Sequence, residues 1–279
     1  MKVSKFLHDW AIPPNIYKWI EQMYFELGIG ISSKDLNTVI RNITLQNKYV
    51  GERCFVIGNG PSLNAMDLSL LKNERTIAMN RFDKNPALAH WQPGFLCMLD
   101  SEKVFKENPA LLKEFTEPFN GVIPKDGYVV HISTKPIVQN LGAKLYRTYF
   151  VKTSIDVKDI VDTKTEWDLA RQMPGGWSTA VLGIALAMYL GSKEIYLIGM
   201  DHNWLAEKTL YSHFYDPEDK QTHSSYIELM EYTLKVFQGY KVVKQYADQR
   251  GIKILNATPG SYIDVFPHVD YNTLFRSEK

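Results

Sequence analysis

From residue 53 onward, short apolar runs alternate with longer stretches of helical character, and that alternation fixes the fold class. The runs 53–57, 76–79, 95–99, 194–198 and 252–255 are four or five residues long and largely apolar, as strands of a covered sheet are. Weaker strand segments lie at 121–123, 128–132 and 145–151. The stretch 178–190 is rich in Ala and Leu and apolar on every side, so it reads as a buried helix. A short helix is expected around 67–71. A long one is expected over 222–249, with Ile227, Met230, Leu234 and Phe237 three and four residues apart. Strands that alternate with helices predict an α/β fold, a mainly parallel sheet flanked by helices.

Residues 1–46 have a different texture and are read as an N-terminal helical appendage to a domain spanning 47–279. Pro13-Pro14 opens a helix that ends at Gly28 and Gly30, with Ile16, Trp19, Ile20, Met23 and Tyr24 at helical spacing. Ser33 is expected to cap a second helix carrying Leu36, Val39, Ile40 and Ile43. This appendage either packs on the core or presents Trp10, Tyr17, Trp19 and Phe25 to a partner or a membrane.

The chain carries 32 Lys and Arg against 31 Asp and Glu, a net charge of +1, which gives no broad field for nucleic acid. The two cysteines, Cys54 and Cys97, sit inside apolar runs and read as buried thiols rather than a disulfide pair or a zinc site. Residues 1–14 are broken by Lys5, His8, Asp9 and Pro13, and no apolar run reaches membrane-spanning length. A cytoplasmic protein is expected, with peripheral contact at the inner face of the membrane if its acceptor is lipid-linked.

In open α/β sheets, ligands bind beyond the carboxyl ends of the strands. Gly58-Asn59-Gly60-Pro61-Ser62-Leu63 follows the first strand and reads as a loop that brings backbone N–H groups close to an anion. It is neither a P-loop nor the dinucleotide fingerprint, since Leu63 holds the place of the third glycine. Asn80 and Asp100 end the next two strands. Asp100 and Glu102 are either Mg²⁺ ligands or first-turn acids of a helix. Gly175-Gly176-Trp177-Ser178-Thr179 opens the buried helix, and such an N-terminus suits an anion. Gly199, Asp201 and His202 close the strand 194–198 at the same sheet edge. The polar loop after Trp204 carries Tyr211, His213 and His223, and its length and histidines suit a binding loop with proton-transfer chemistry.

The glycine loop resembles the opening of the bacterial family 42 sialyltransferases, and residues 190–201 are similar to their second motif. Both stretches also resemble the Maf flagellin-glycosylation proteins and the archaeal 6-hydroxymethylpterin diphosphokinases. Asn256-Ala257-Thr258-Pro259-Gly260-Ser261, with Val265-Phe266-Pro267, resembles the wider Maf-like group. The resemblance implies a Rossmann-like fold, a GT-A variant. It implies nucleotide contacts from Asn59, Gly60, Ser62, Asn80, Asp100, Ser178, Thr179 and Gly199, and the loops at the same sheet edge add Gly58, Pro61, Gly176 and His202 as candidates. It implies catalytic roles for Tyr211, Asp201 and either His213 or His223, the histidine being the base. Asn203 stands where the sialyltransferases have their first tyrosine. The activity implied is inverting transfer of a nonulosonic acid from a CMP-linked donor to a surface glycan, with no cofactor required. A diphosphokinase using ATP and Mg²⁺, with Asp100, Glu102 or Asp201 as metal ligands, is the alternative, and a non-catalytic nucleotide-binding scaffold is the third.

Overall fold

The computed structural model describes residues 14–28, 31–99, 124–140, 147–160, 165–206 and 225–276. Its helices are α1 (Pro14–Glu26), α2 (Ser33–Val39), α3 (Thr134–Asn140), α4 (Thr179–Tyr189) and α5 (Tyr226–Gln249). Its strands are β1 (Cys54–Ile57), β2 (Arg75–Met79), β3 (Phe95–Met98), β4 (Gly127–His131), β5 (Thr148–Asp156), β6 (Gln172–Gly175), β7 (Glu194–Ile198) and β8 (Lys253–Asn256). They form one sheet in the order β6-β5-β4-β3-β2-β1-β7-β8. Every neighbouring pair is parallel, so the sheet is wholly rather than mainly parallel among the described residues.

Burial on both faces explains the unbroken apolar runs. Alternate residues of the central strands enter two separate cores. Cys54, Val56, Ile77, Met79 and Cys97 pack on the side of α4 and α5. Phe55, Ile57, Ala78, Leu96 and Met98 pack on the other, under the C-terminal segment. Both cysteines are free and buried, as their setting predicts.

Helix α4 is buried along nearly its whole length. Leu182, Ile184 and Leu186 are fully buried, each worth roughly 2 kcal/mol in transfer from water. The helix lies so close to β1 that a Cβ on Gly183 would come within 2.8 Å of Val56 Cγ1. Ser178 caps it by accepting from the Ala180 amide at 3.2 Å. Ser225 and Glu228 give α5 the sequence of a capping box, and the Ser225 side chain accepts from the Glu228 amide.

Several expectations are corrected. β6 was not foreseen. The second helix is capped by Ser32, not Ser33. The segment after Asp67 is a single 3-10 turn, Leu68–Leu71. Of the apolar series on α5, Ile227, Met230 and Leu234 are exposed, and only Phe237 packs against the core. The buried face is Leu229, Thr233, Val236, Tyr240, Val243 and Tyr246. Likewise Ile16, Trp19 and Tyr24 of α1 are exposed rather than packed on the core. The expected strand at 121–123 lies outside the described residues. No described helix is long and apolar enough to cross a membrane.

Gly183→Ala tests the closeness of α4 to β1. Alanine favours a helix, but here the methyl group overpacks a rigid valine. The expected result is a net loss of about 1–3 kcal/mol in urea unfolding. A stabilised variant would contradict the packing.

Candidate functional site

The chain runs outward from β1 to β6 on one side and returns to β7 and β8 on the other, so the switch point lies between β1 and β7. The loops leaving these two strands press against each other. Gly58 N–H donates to Ile198 O at 2.8 Å and Gly60 N–H to Gly199 O at 2.9 Å. A Cβ on Gly58 would sit 2.2 Å from Gly199 O, and one on Gly60 would sit 1.7 Å from Asp201 Oδ2. Gly199 itself has φ +63°, with Leu63 filling the space a side chain would need. The glycines are therefore required by contact within the chain.

Asp201 locks the junction. One oxygen accepts from Ser62 N–H at 3.0 Å and the other from Ser62 Oγ at 2.7 Å. Burial raises its carboxyl above the ordinary carboxylate value, while the Ser62 hydrogen bonds pull the other way. Asp201, expected to be catalytic, is thus held as a clamp between loops.

Beyond this junction opens a cavity of about 520 Å³, lined by Gly58, Asn59, Gly60, Asn80, Ser178, Thr179, Gly199, Asp201, His202 and Trp204 among others. Most of the expected nucleotide contacts are brought together here. Pro61, Ser62 and Gly176 stand beside it rather than in its lining. Asp100, Glu102, Tyr211, His213 and His223 lie outside the described residues.

Two asparagines shape the floor. Asn59 Nδ2 donates to Met79 O at 2.8 Å, which orients the amide, since the flipped form would set two oxygens against each other. Its Oδ1 is buried without a hydrogen-bond partner. Asn80 has φ +48°, a left-handed conformation asparagine tolerates, and its Oδ1 accepts from Thr179 Oγ1 at 3.2 Å. This bond ties the end of β2 to the first turn of α4, the positive end of that helix.

His202 and Trp204 supply one wall, and an aromatic row continues from them beyond the lining. His202 lies 4.4 Å from Trp204, Trp204 lies 5.7 Å from Tyr232, and Tyr232 meets Trp177 edge-on at 6.5 Å. Lys235 Nζ sits 4.4 Å from the Trp177 ring. His202 is buried and its Nε2 pairs with Tyr240 Oη at 3.0 Å. Burial lowers its pKa to about 3, against a backbone contact with Met200 that favours the charged form. At neutral pH it is an uncharged wall, not a proton acceptor. The Trp204–Tyr232–Trp177 row escaped sequence reading, because it joins residues from three separate elements.

The folded pKa of His202 lies below the unfolded value near 6.5, so the unfolded chain binds the extra proton. Its contribution to stability is complete above that unfolded value. It is lost as pH falls towards about 3, at up to roughly 1.4 kcal/mol per pH unit. Unfolding of His202→Asn, which suits φ +51°, should lack this slope between pH 6 and pH 4. An unchanged slope would exclude His202 as its source. Ser62→Ala should cost about 1–3 kcal/mol, since Asp201 loses a donor while buried. A neutral result would mean that the clamp is not needed.

No curated protein sequence matches the chain. The solved structures that resemble it include two at low identity. The sialyltransferase CstII from Campylobacter jejuni, in complex with the substrate analogue CMP-3FNeuAc, is 17% identical with a TM-score of 0.47, over 82% of this chain and 89% of that one. The Maf glycosyltransferase from Magnetospirillum magneticum AMB-1 is 13% identical with a TM-score of 0.48, over 88% of this chain and 40% of that one. The family model described as 6-hydroxymethylpterin diphosphokinase MptE-like matches residues 33–207, well over half of the chain, and the protein belongs to that MptE-like family.

Proposed function

We propose that the protein is a glycosyltransferase that moves a sugar from a nucleotide-activated donor, a CMP-linked nonulosonic acid or a relative, to a glycan acceptor. The observation that carries this reading is the cavity at the β1–β7 switch point, which combines a helix N-terminus with the unpartnered oxygen of Asn59. The first turn of α4 suits the donor phosphate. The Asn59 oxygen, which can only accept, suits a hydroxyl or amino group of the nucleoside rather than the phosphate contact that the resemblance implies.

In this reaction the acceptor hydroxyl attacks the anomeric carbon as the bond from that carbon to the donor phosphate breaks, with inversion. His213 or His223 takes the hydroxyl proton. Tyr211 and the α4 N-terminus stabilise the departing CMP phosphate. No metal is required.

A diphosphokinase is the second reading, favoured by the description of the matching family. It needs ATP and Mg²⁺. Asp201 already accepts one hydrogen bond from Ser62 on each oxygen, so a metal there would have to share a carboxylate that ties two loops together. Asp100 and Glu102 are the other ligands this reading offers, and no step is derived through them.

Thermal-shift titration with CMP, CDP, UMP, GDP and ATP, each with and without Mg²⁺, separates the two. Selective stabilisation by CMP without metal is expected, followed by turnover of CMP-sugars. Stabilisation by ATP only with Mg²⁺, with AMP released, would replace the proposal by the diphosphokinase. Binding without any turnover would leave a nucleotide-binding scaffold. For the base, the variant lacking both His213 and His223 should lose 10²-fold or more in kcat, on the order of a general-base contribution. Retained activity would remove both from the mechanism.

A further inference from the structure

Helix α1 turns a polar residue, Gln22, inward. Gln22 is buried, donating to Thr165 Oγ1 at 2.9 Å and to Glu26 Oε1 at 2.8 Å, and Thr165 Oγ1 donates in turn to Glu26 Oε1. Much of the apolar stripe is left exposed. Ile16 is 50% exposed, Trp19 57%, Tyr24 48% and Leu27 65%, with Ile20 and Met23 half-buried between them. These six residues follow the 3–4 spacing of a single helical face. The stripe does not end with the helix. Leu27 borders an open cleft with Leu36 and Ile40, two more exposed apolar residues from α2 and the turn after it, and the rest of its lining is mainly polar, with Glu26, Glu166, Asp168 and Arg171.

Soluble proteins rarely expose an apolar surface so continuous unless something covers it. We propose that this face is a homodimer interface, covered by the same face of a second copy of the chain. Two arguments select that occupant. The first is area. Large side chains carry on the order of 150–250 Å² each. The exposed fractions here therefore come to about 600 Å² per copy, or ~1,200 Å² across a two-fold contact, the lower end of specific interfaces. The second is charge. Within α1 there is one basic residue, Lys18, against Glu21 and Glu26. A helix that lies on an anionic membrane is rich in Lys and Arg on its polar face, and this one is not. A single continuous face on each copy suits an isologous two-fold contact, the commonest form of association.

Sedimentation velocity on the full chain across micromolar concentrations tests this. A concentration-dependent dimer is expected. Trp19→Glu combined with Leu27→Glu should weaken it at least ~30-fold, the loss typical of a central aromatic anchor. Ile227→Glu, at an exposed apolar residue of α5, should leave it unchanged. The milder pair Trp19→Gln and Leu27→Gln, checked by circular dichroism, separates lost association from lost folding. A monomer at all concentrations would overturn the proposal, as would a dimer indifferent to the α1 substitutions. A monomer that floats with vesicles of phosphatidylglycerol would overturn it in favour of a membrane surface.

Discussion

The structure turns on the contact between the loops that leave β1 and β7. Parallel strands at a switch point send their connections in opposite directions, and a crevice normally opens between them. Here the two loops close partly over that crevice. Gly58 and Gly60 lie against the backbone of Gly199 and the carboxylate of Asp201, at separations no side chain could enter. Ser62 and Asp201 then fasten the contact with two hydrogen bonds. The pocket exists beside this junction and takes its floor from it. Glycines that look like a phosphate cradle are, in the first instance, the condition for two loops to meet.

This gives the pocket its chemical character. Its carboxylate ties two loops together, and its histidine is kept neutral by burial. Hydrogen bonds orient its asparagines, one of which retains an unused acceptor. What remains for a ligand is the first turn of α4, the Asn59 oxygen and the aromatic wall. Groups of this kind bind and orient. Proton transfer at neutral pH requires a residue other than His202, and in the proposed reaction that residue comes from the segment carrying His213 and His223.

The sheet was legible because its strands are covered on both faces. Runs such as Cys-Phe-Val-Ile cannot be half-exposed, so their length and apolarity sufficed. β6 was not legible. Its sequence, Gln-Met-Pro-Gly, lies at the sheet edge, where proline is tolerated and apolar content is not demanded. The site was legible as a set of strand-end loops, because topology alone brings such loops to one edge. The Ser62–Asp201 clamp was not, since it joins residues 139 positions apart and depends on which two strands are neighbours. Nor was the neutrality of His202, which follows from the surroundings supplied by Trp204, Phe237 and Tyr240.

Helices α1 and α5 show why periodicity can locate a helix without orienting it. In α5 the buried stripe includes Thr233, Gly239, Tyr240 and Tyr246, residues that hydropathy ranks below Ile227 and Leu234. Thr233 can face the core because its hydroxyl is satisfied by Leu229 O at 2.7 Å. The tyrosines can because they combine aromatic bulk with a partnered hydroxyl: Tyr240 with His202, Tyr246 with Glu166. In α1 the same logic is stronger, since Gln22 is taken up by Thr165 and Glu26. A polar residue goes inside when the fold offers it a partner, and the apolar face is then left outside. The exposure of that face is therefore a consequence of specific internal hydrogen bonds, which hold the helix in an orientation that hydrophobic burial within a single chain would not select.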